Sequence, residues 1–193
     1  MTLFFLGYAI AQLFWGPLSD RIGRKPVIFI GLLTYLVGTI LCAISTNITM
    51  LIFGRIIQSV GACSGIVMST AIIKDHYEGQ DISRIFAKMI SVLLIAPMIA
   101  PIIGSYLLVH FNWQSNFYFL MAYCLLLVIT SLYFKESYPK DIRTALPLSK
   151  LCDAYKRQIC FIPFLLSVLA LALVFTTMFA FVSTASYIYL NIY

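Results

Sequence analysis

"GPLSDRIGRKP", residues 16–26, sets Asp20, Arg21, Arg24 and Lys25 within six positions, spaced by Gly16 and Gly23, between two long apolar runs. Such a charged knot reads as a turn at a membrane surface joining two spanning helices, because hydrocarbon expels charge and draws in the flanking runs. The whole chain agrees. Its 193 residues are 62% hydrophobic and only 10% charged, with a mean hydropathy of +0.97, far from the composition of a soluble domain.

Working outward from the knot, apolar stretches with little or no charge cover residues 2–18, 27–45, 47–73, 85–109, 114–134 and 159–193. Each is about long enough to cross a hydrocarbon core of roughly 30 Å as a helix. The pattern predicts an all-α membrane protein with six transmembrane helices. A barrel does not fit, because its strands would alternate apolar and polar residues where these runs are continuous. The last run exceeds one crossing, so its helix is expected to begin near Pro163 and leave part of "SYIYLNIY" as an aromatic interfacial end.

Charge gives the orientation. Of 13 Lys and Arg, 12 fall in the first, third and fifth connections, and all seven acidic residues fall there too. The second and fourth connections, "STN" at 45–47 and "HFNW" at 110–113, have no Lys or Arg. By the positive-inside rule the odd connections are cytoplasmic and both ends of this chain face outward. The net charge of +6 therefore reports topology and attraction to anionic lipid, and no nucleic-acid partner is implied.

Other classes find little support. "AIA" at 9–11 resembles a leader cleavage site, but no basic stretch precedes it and the apolar run continues to Leu18. Cys42, Cys63, Cys124, Cys152 and Cys160 lack metal-ligand spacing and form no disulfide framework. There is no carboxylate pair, Ser/His/Asp set or Gly-rich phosphate loop, so no enzyme, metal or cofactor is expected. Residues 135–158, with two prolines and nine charges, are the expected boundary between a bundle at 1–134 and a further helix at 159–193. The second half of that linker puts Leu148, Leu151 and Tyr155 on one side, the pattern of a short helix lying on a membrane.

Three internal features ask for a function. Asp20 adds nothing to positive-inside bias, so it is expected to face a basic residue or the positively polarised N-terminus of a helix, unless the turn is merely solvated. Arg55 stands roughly 12 Å down its helix at about 1.5 Å per residue, too deep for easy snorkelling. An arginine there costs at least about 2.5 kcal/mol, and it is either functional or tied to backbone carbonyls for packing. Arg55, Gln58, Ser59, Ala62 and Ser69 share a helical face that reads as a polar cavity wall, while Gly54, Gly61 and Gly65 form a small face suited to close packing. "APMIAPIIG", residues 96–104, removes two backbone donors at Pro97 and Pro101, and the helix is expected to kink or unwind there.

These stretches resemble a known family. "GPLSDRIGRKP" is similar to the signature of the major facilitator superfamily, matching at Gly16, Asp20, Arg21, Gly23, Arg24 and Lys25. In that family the signature lies between the second and third helices and latches the two halves of the transporter in the outward-open state, which implies that Asp20 and Arg24 are switch residues. Arg55 and Gln58 resemble the Arg-x-x-Gln-Gly pattern of the fourth helix, linked to proton coupling, with Ser59 in place of the first glycine. Pro97, Pro101 and Gly104 resemble the fifth-helix motif of drug/proton antiporters of the Bcr/CflA type, a pliable helix that seals against proton leak, with Ser105 where a second glycine is usual. Gln114 stands where arginine is common, and Ser137 where threonine follows the sixth helix.

The resemblance implies the second through seventh helices of a twelve-helix fold, with the first and last five absent from this chain. It also implies a bacterial inner-membrane exporter that exchanges drug-like small molecules for protons by alternating access and is monomeric when complete. Tyr8, Gln12, Ser59 and Ser69 are the candidate substrate pathway. The titrating carboxylate is expected in the absent first helix, facing Arg55. A metabolite or siderophore exporter of the same superfamily, or an inactive membrane fragment, are the alternatives.

Overall fold

The computed structural model of the chain describes residues 2–134, 136 and 148–192. Among them are seven helices: α1 Thr2–Ile22, α2 Arg24–Ala43, α3 Ile48–His76, α4 Gln80–His110, α5 Ser115–Tyr133, α6 Leu148–Ile159 and α7 Ile162–Ile192. The first five are long and apolar enough to cross a membrane. Helix α7 carries no charged residue along its length, and its described apolar portion is Ile162–Thr177. Helix α6 is the short element whose apolar stripe the linker sequence contains. The chain divides into two compact units, Met1–Ala145 and Leu146–Tyr193. Residues 135 and 137–147, which include Ser137, and the side chains of "SYIYLNIY" lie outside the described residues; the backbone of that last stretch is helical to Ile192.

Helices overrun the apolar runs that announce them. The sequence places a turn at 19–26, yet α1 continues to Ile22 and α2 begins at Arg24, leaving Gly23 alone between them. Gly23 has φ 104°, a conformation that glycine adopts without steric cost and that reverses the chain in one residue. Ser19, Asp20 and Arg21 therefore form the last turn of α1 and not a loop. Likewise α3 runs on to His76 and α4 starts at Gln80. Hydropathy marks where hydrocarbon ends, but helical hydrogen bonding continues into water at little cost.

Helix α3 is the centre of the first unit, with α1 on one side and α2 on another, and α2 also meets α5. Its start is fixed by Asn47, whose side chain accepts the Met50 N–H at 3.1 Å, an N-cap that satisfies an otherwise orphan donor. Where α2 crosses α3 the backbones touch. A Cβ on Gly38 would fall inside van der Waals contact of the Gln58 backbone, and one on Gly61 inside that of Tyr35. Small residues allow this close approach, which in lipid supplies the packing energy that hydrophobic burial cannot. Gly65, expected on the same packed face, has open space beside it. Between α1, α2 and α3 an apolar cluster forms from Ala11, Trp15, Val27, Cys63 and Met68, and Trp15 Nε1 donates to the Val60 carbonyl at 2.8 Å. A second cluster, Cys42, Ala43 and Phe117, ties α2 to α5.

Helix α4 is different. None of its residues is buried, and it touches only the edges of α3 and α5. It is continuous through Pro97 and Pro101, so the expected unwinding does not occur. Each proline removes one hydrogen bond, but the surrounding turns hold the helix together.

Candidate functional site

At one end of the first unit the charged knot closes around Arg24. Its guanidinium donates from Nη1 to Asp20 Oδ1 at 2.7 Å and from Nε to Asp75 Oδ2 at 2.9 Å, and it also reaches the Ser19 hydroxyl. The Arg24 side chain is only 8% exposed, against 41% for Asp20 and 19% for Asp75. A planar fork suits this geometry, since it can serve two carboxylates on different helices at once, which an ammonium cannot do with fixed direction. Asp20 thus faces a basic residue four positions along its own chain.

The helix N-terminus is served by another acid. Glu136, just beyond α5, accepts the backbone N–H of Arg24 at 2.9 Å, the first residue of α2, where a negative charge meets the positive end of the helix dipole. In the opposite sense Lys25 Nζ donates to the Leu132 carbonyl at 2.8 Å, placing a cation at the C-terminal end of α5. The start of α2 and the end of α5 are pinned by reciprocal, charge-matched contacts across more than a hundred residues of sequence. Gly16 has open space where a Cβ would stand, and its carbonyl accepts from the Ser19 hydroxyl at 2.7 Å. Arg21 is exposed.

Asp75 and Ser19 were not singled out by sequence. Asp75 was visible only as one of seven acids, and nothing in its spacing shows that α3 ends beside α2. Glu136 stands just before Ser137 at the expected exit of the sixth helix, but nothing in its spacing marks it as the acid that meets α2.

Arg55 lies twenty residues before Asp75 on α3, about 30 Å along the helix axis at 1.5 Å per residue. Its Nη1 donates to Gln58 Oε1 at 3.0 Å, Gln58 Nε2 donates to Thr39 Oγ1 at 2.9 Å, and Thr39 donates on to the Tyr35 carbonyl at 2.8 Å. The direction of this relay is forced. A guanidinium only donates, so Gln58 must turn its oxygen to Arg55 and its amide N–H to Thr39. Gln58 and Thr39 are fully buried between α2 and α3. The guanidinium also lies over the Phe117 ring of α5, 4.8 Å from its centroid, a cation–π contact strengthened where water is excluded. Among the described residues no carboxylate pairs with Arg55.

Arg55 borders an open cleft of about 690 Å³ between the first turns of α1 and α3, lined also by Phe4, Phe5, Leu51 and Ile52. The other residues expected on a polar wall are not brought there. Gln58 is inside the α2–α3 interface, Ser59 is fully buried and bonded to the Ile56 carbonyl at 2.7 Å, and Ser69 is exposed and bonded to Gly65. Ala62 is half-buried. Helical periodicity groups these residues correctly on one side of α3, but α1 and α2 both pack on that side and divide it. Tyr8 packs against the apolar cluster and Gln12 is half-buried one turn on. On α4, Pro97 and Pro101 are exposed, while Gly104 faces Asn116 at the start of α5.

A helical membrane bundle with a half-buried arginine within a spanning helix and a charge cluster at one helix end has the build of a multi-pass membrane transporter. The chain belongs to the major facilitator superfamily, whose sequence profile matches residues 1–193. It is 31% identical over 157 residues to multidrug resistance protein D of Escherichia coli, covering 81% of this chain and 39% of that protein. It is 32% identical over 203 residues to a bicyclomycin resistance protein homolog of Haemophilus influenzae, covering all of this chain and 49% of that protein. The chain thus spans half the length, or less, of these curated relatives. Its fold is similar to that of the human organic anion transporter MFSD10, with a TM-score of 0.67 and 19% identity over 79% of this chain and 35% of that one.

Proposed function

We propose that this chain is part of a bacterial inner-membrane exporter that exchanges drug-like small molecules for protons by alternating access. Drug-resistance relatives at about one-third identity support the substrate class. The observation that carries proton coupling is the setting of Arg55: a permanent cation in an apolar helix, held by a neutral amide and an aromatic ring. Guanidinium does not deprotonate in proteins, so Arg55 is not the proton carrier. It is the fixed charge that lowers the proton affinity of a carboxylate facing it, and as the cavity opens to one side of the membrane and then the other, that carboxylate binds a proton from one and releases it to the other. Asp20, Asp75 and Asp81 lie in the end turns of α1, α3 and α4, and no Asp or Glu lies midway along a spanning helix, which supports placing the titrating acid in a segment outside these 193 residues, in line with the first helix of the family fold.

In this reading Arg24, Asp20, Asp75 and Glu136 form the conformational latch, with Gly16, Arg21, Gly23 and Lys25 shaping it. Pro97, Pro101 and Gly104 make α4 the pliable seal, and residues 135–158 link two bundles. The knot faces the cytoplasm, by the positive-inside rule.

The test is transport by the intact protein reconstituted in vesicles with an imposed pH gradient. Arg55→Ala at normal abundance abolishes drug-dependent proton flux, and Arg55→Lys retains part of it if charge alone matters. The 193-residue chain by itself moves neither drug nor protons. Unchanged export in Arg55→Ala returns Arg55 to a packing role. Orientation is read separately: a cysteine at Asn112 reacts with an impermeant thiol reagent from outside and one at Gly79 does not, and the reverse pattern overturns the latch assignment.

A further inference from the structure

Resting on the reading of Arg55 as the fixed charge of proton coupling, we propose that Phe117 is a positioning residue for it. The ring holds the guanidinium in place from α5 and leaves its positive charge undiminished for the titrating acid.

A guanidinium within a spanning helix needs a partner, and the partner decides what the charge can still do. A carboxylate fixed beside it would cancel much of its field at any second acid. Gln58 and Phe117 hold Arg55, and both are neutral. Gln58 Oε1 accepts from Nη1 at 3.0 Å, which fixes the fork from α3 itself. The Phe117 ring meets the guanidinium carbon 4.8 Å from the ring centroid, and it comes from α5, a helix that packs on α2. The fork is thus fixed from two directions. A ring attracts a cation through its quadrupole and carries no net charge, so Arg55 stays held and stays charged.

Phe117 is itself firmly placed. It lies in the first turn of α5, where its N–H donates to the Gln114 carbonyl at 2.9 Å, and it is only 5% exposed. It clusters with Cys42 and Ala43 of α2, and Leu51, one turn before Arg55 on α3, packs against the same cluster. The Trp113 ring meets it at right angles, with centroids 6.0 Å apart, an arrangement that aromatic pairs prefer. Packing alone accounts for this burial, and a leucine would fill much of the same space. What packing does not require is a ring turned toward the arginine set deepest in its helix.

The test uses the intact protein reconstituted in vesicles with an imposed pH gradient. Phe117 is replaced by phenylalanines with one, two and three ring fluorines, which draw electron density from the ring face at nearly constant shape. Drug-dependent proton flux falls stepwise along the series, reaching about a threefold to thirtyfold loss in Phe117→Leu, while Phe117→Tyr and Phe117→Trp keep most of it. Abundance stays at the parent level across the fluorinated series. The Arg55 Nε–H nuclear magnetic resonance, identified by its absence in Arg55→Ala, lies upfield through the ring current and moves downfield in Phe117→Leu. Loss of flux in Arg55→Ala with flat flux across the fluorinated series overturns the proposal and leaves Phe117 a packing residue, as does an Arg55 resonance that Phe117→Leu does not move. Unchanged flux in Arg55→Ala overturns the coupling reading itself, and this inference with it.

Discussion

Helices α3 and α4 are nearly the same length, 29 and 31 residues, and α4 is the more hydrophobic, with a mean hydropathy of 2.3 against 1.8. Yet α3 buries Gly54, Gln58, Ser59, Gly61, Cys63, Ser64 and Met68, while α4 buries nothing. In water the greasier helix would be the core. In a membrane the surroundings are as apolar as leucine, so burial follows what lipid cannot satisfy: polar side chains that need partners and small residues that let backbones meet. Hydropathy says which segments cross, and small and polar residues say which of them lie at the centre.

The comparison can be broken most directly at the α2–α3 crossing. Gly61→Leu should cost at least about 3 kcal/mol, the upper range for overpacking, because the obstacle is backbone and cannot move aside. Gly65→Leu, one turn along the same helix with open space beside it, should stay within about 0.5 kcal/mol. Reversible unfolding in mixed micelles measures both, and similar losses would mean that α3 does not pack on α2 as described.

A smaller effect is expected at the charge cluster. Arg24→Ala leaves Asp20 and Asp75 facing each other without the guanidinium. The cost should be about 2–3 kcal/mol, below the full range for a broken buried pair, since Asp20 is 41% exposed. Arg24→Lys should recover part of it, because one ammonium cannot hold both acids in the forked geometry. If Arg24→Ala is neutral while Asp75→Asn is not, the cluster is held by Asp75 through some other partner.

Next comes the relay on α3. Gln58→Ala removes the acceptor of the Arg55 guanidinium and the donor to Thr39, whose hydroxyl keeps its bond to the Tyr35 carbonyl, and should cost about 1–3 kcal/mol. Thr39→Val, which keeps the shape but removes both bonds of the hydroxyl and leaves the buried Gln58 N–H without its acceptor, should cost about 1–2 kcal/mol. Thermal unfolding of the two variants and their double mutant tests whether the residues act together, since independent sites would give additive losses.

The smallest effect should be on α4. Pro97→Ala and Pro101→Ala, both exposed on a continuous helix, should cost no stability, any change being a gain, because each restores the backbone donor that proline lacks. A loss as large as that of Gly61→Leu would show that α4 is packed more closely than its exposure implies.

The sequence by itself determined the membrane class, the spanning segments and the place of the charged knot, because exclusion of charge from hydrocarbon is a property of composition over about twenty residues and needs no knowledge of neighbours. It also exposed Arg55 as exceptional, for the same reason, and the family motifs around Asp20, Arg24, Arg55 and Pro97. Partners were another matter. That Arg24 meets Asp75, that Glu136 rather than Asp20 meets the start of α2, that Phe117 lies under Arg55, and that the polar side of α3 is divided between two neighbours were decided only by tertiary structure. Each joins residues from different helices, and helical periodicity gives the direction in which a side chain leaves its own axis but not which helix waits there. Even the ends of α1 and α2 belonged to the second kind, since hydrogen bonding carried both helices past the membrane boundary until the backbone of Gly23 turned the chain.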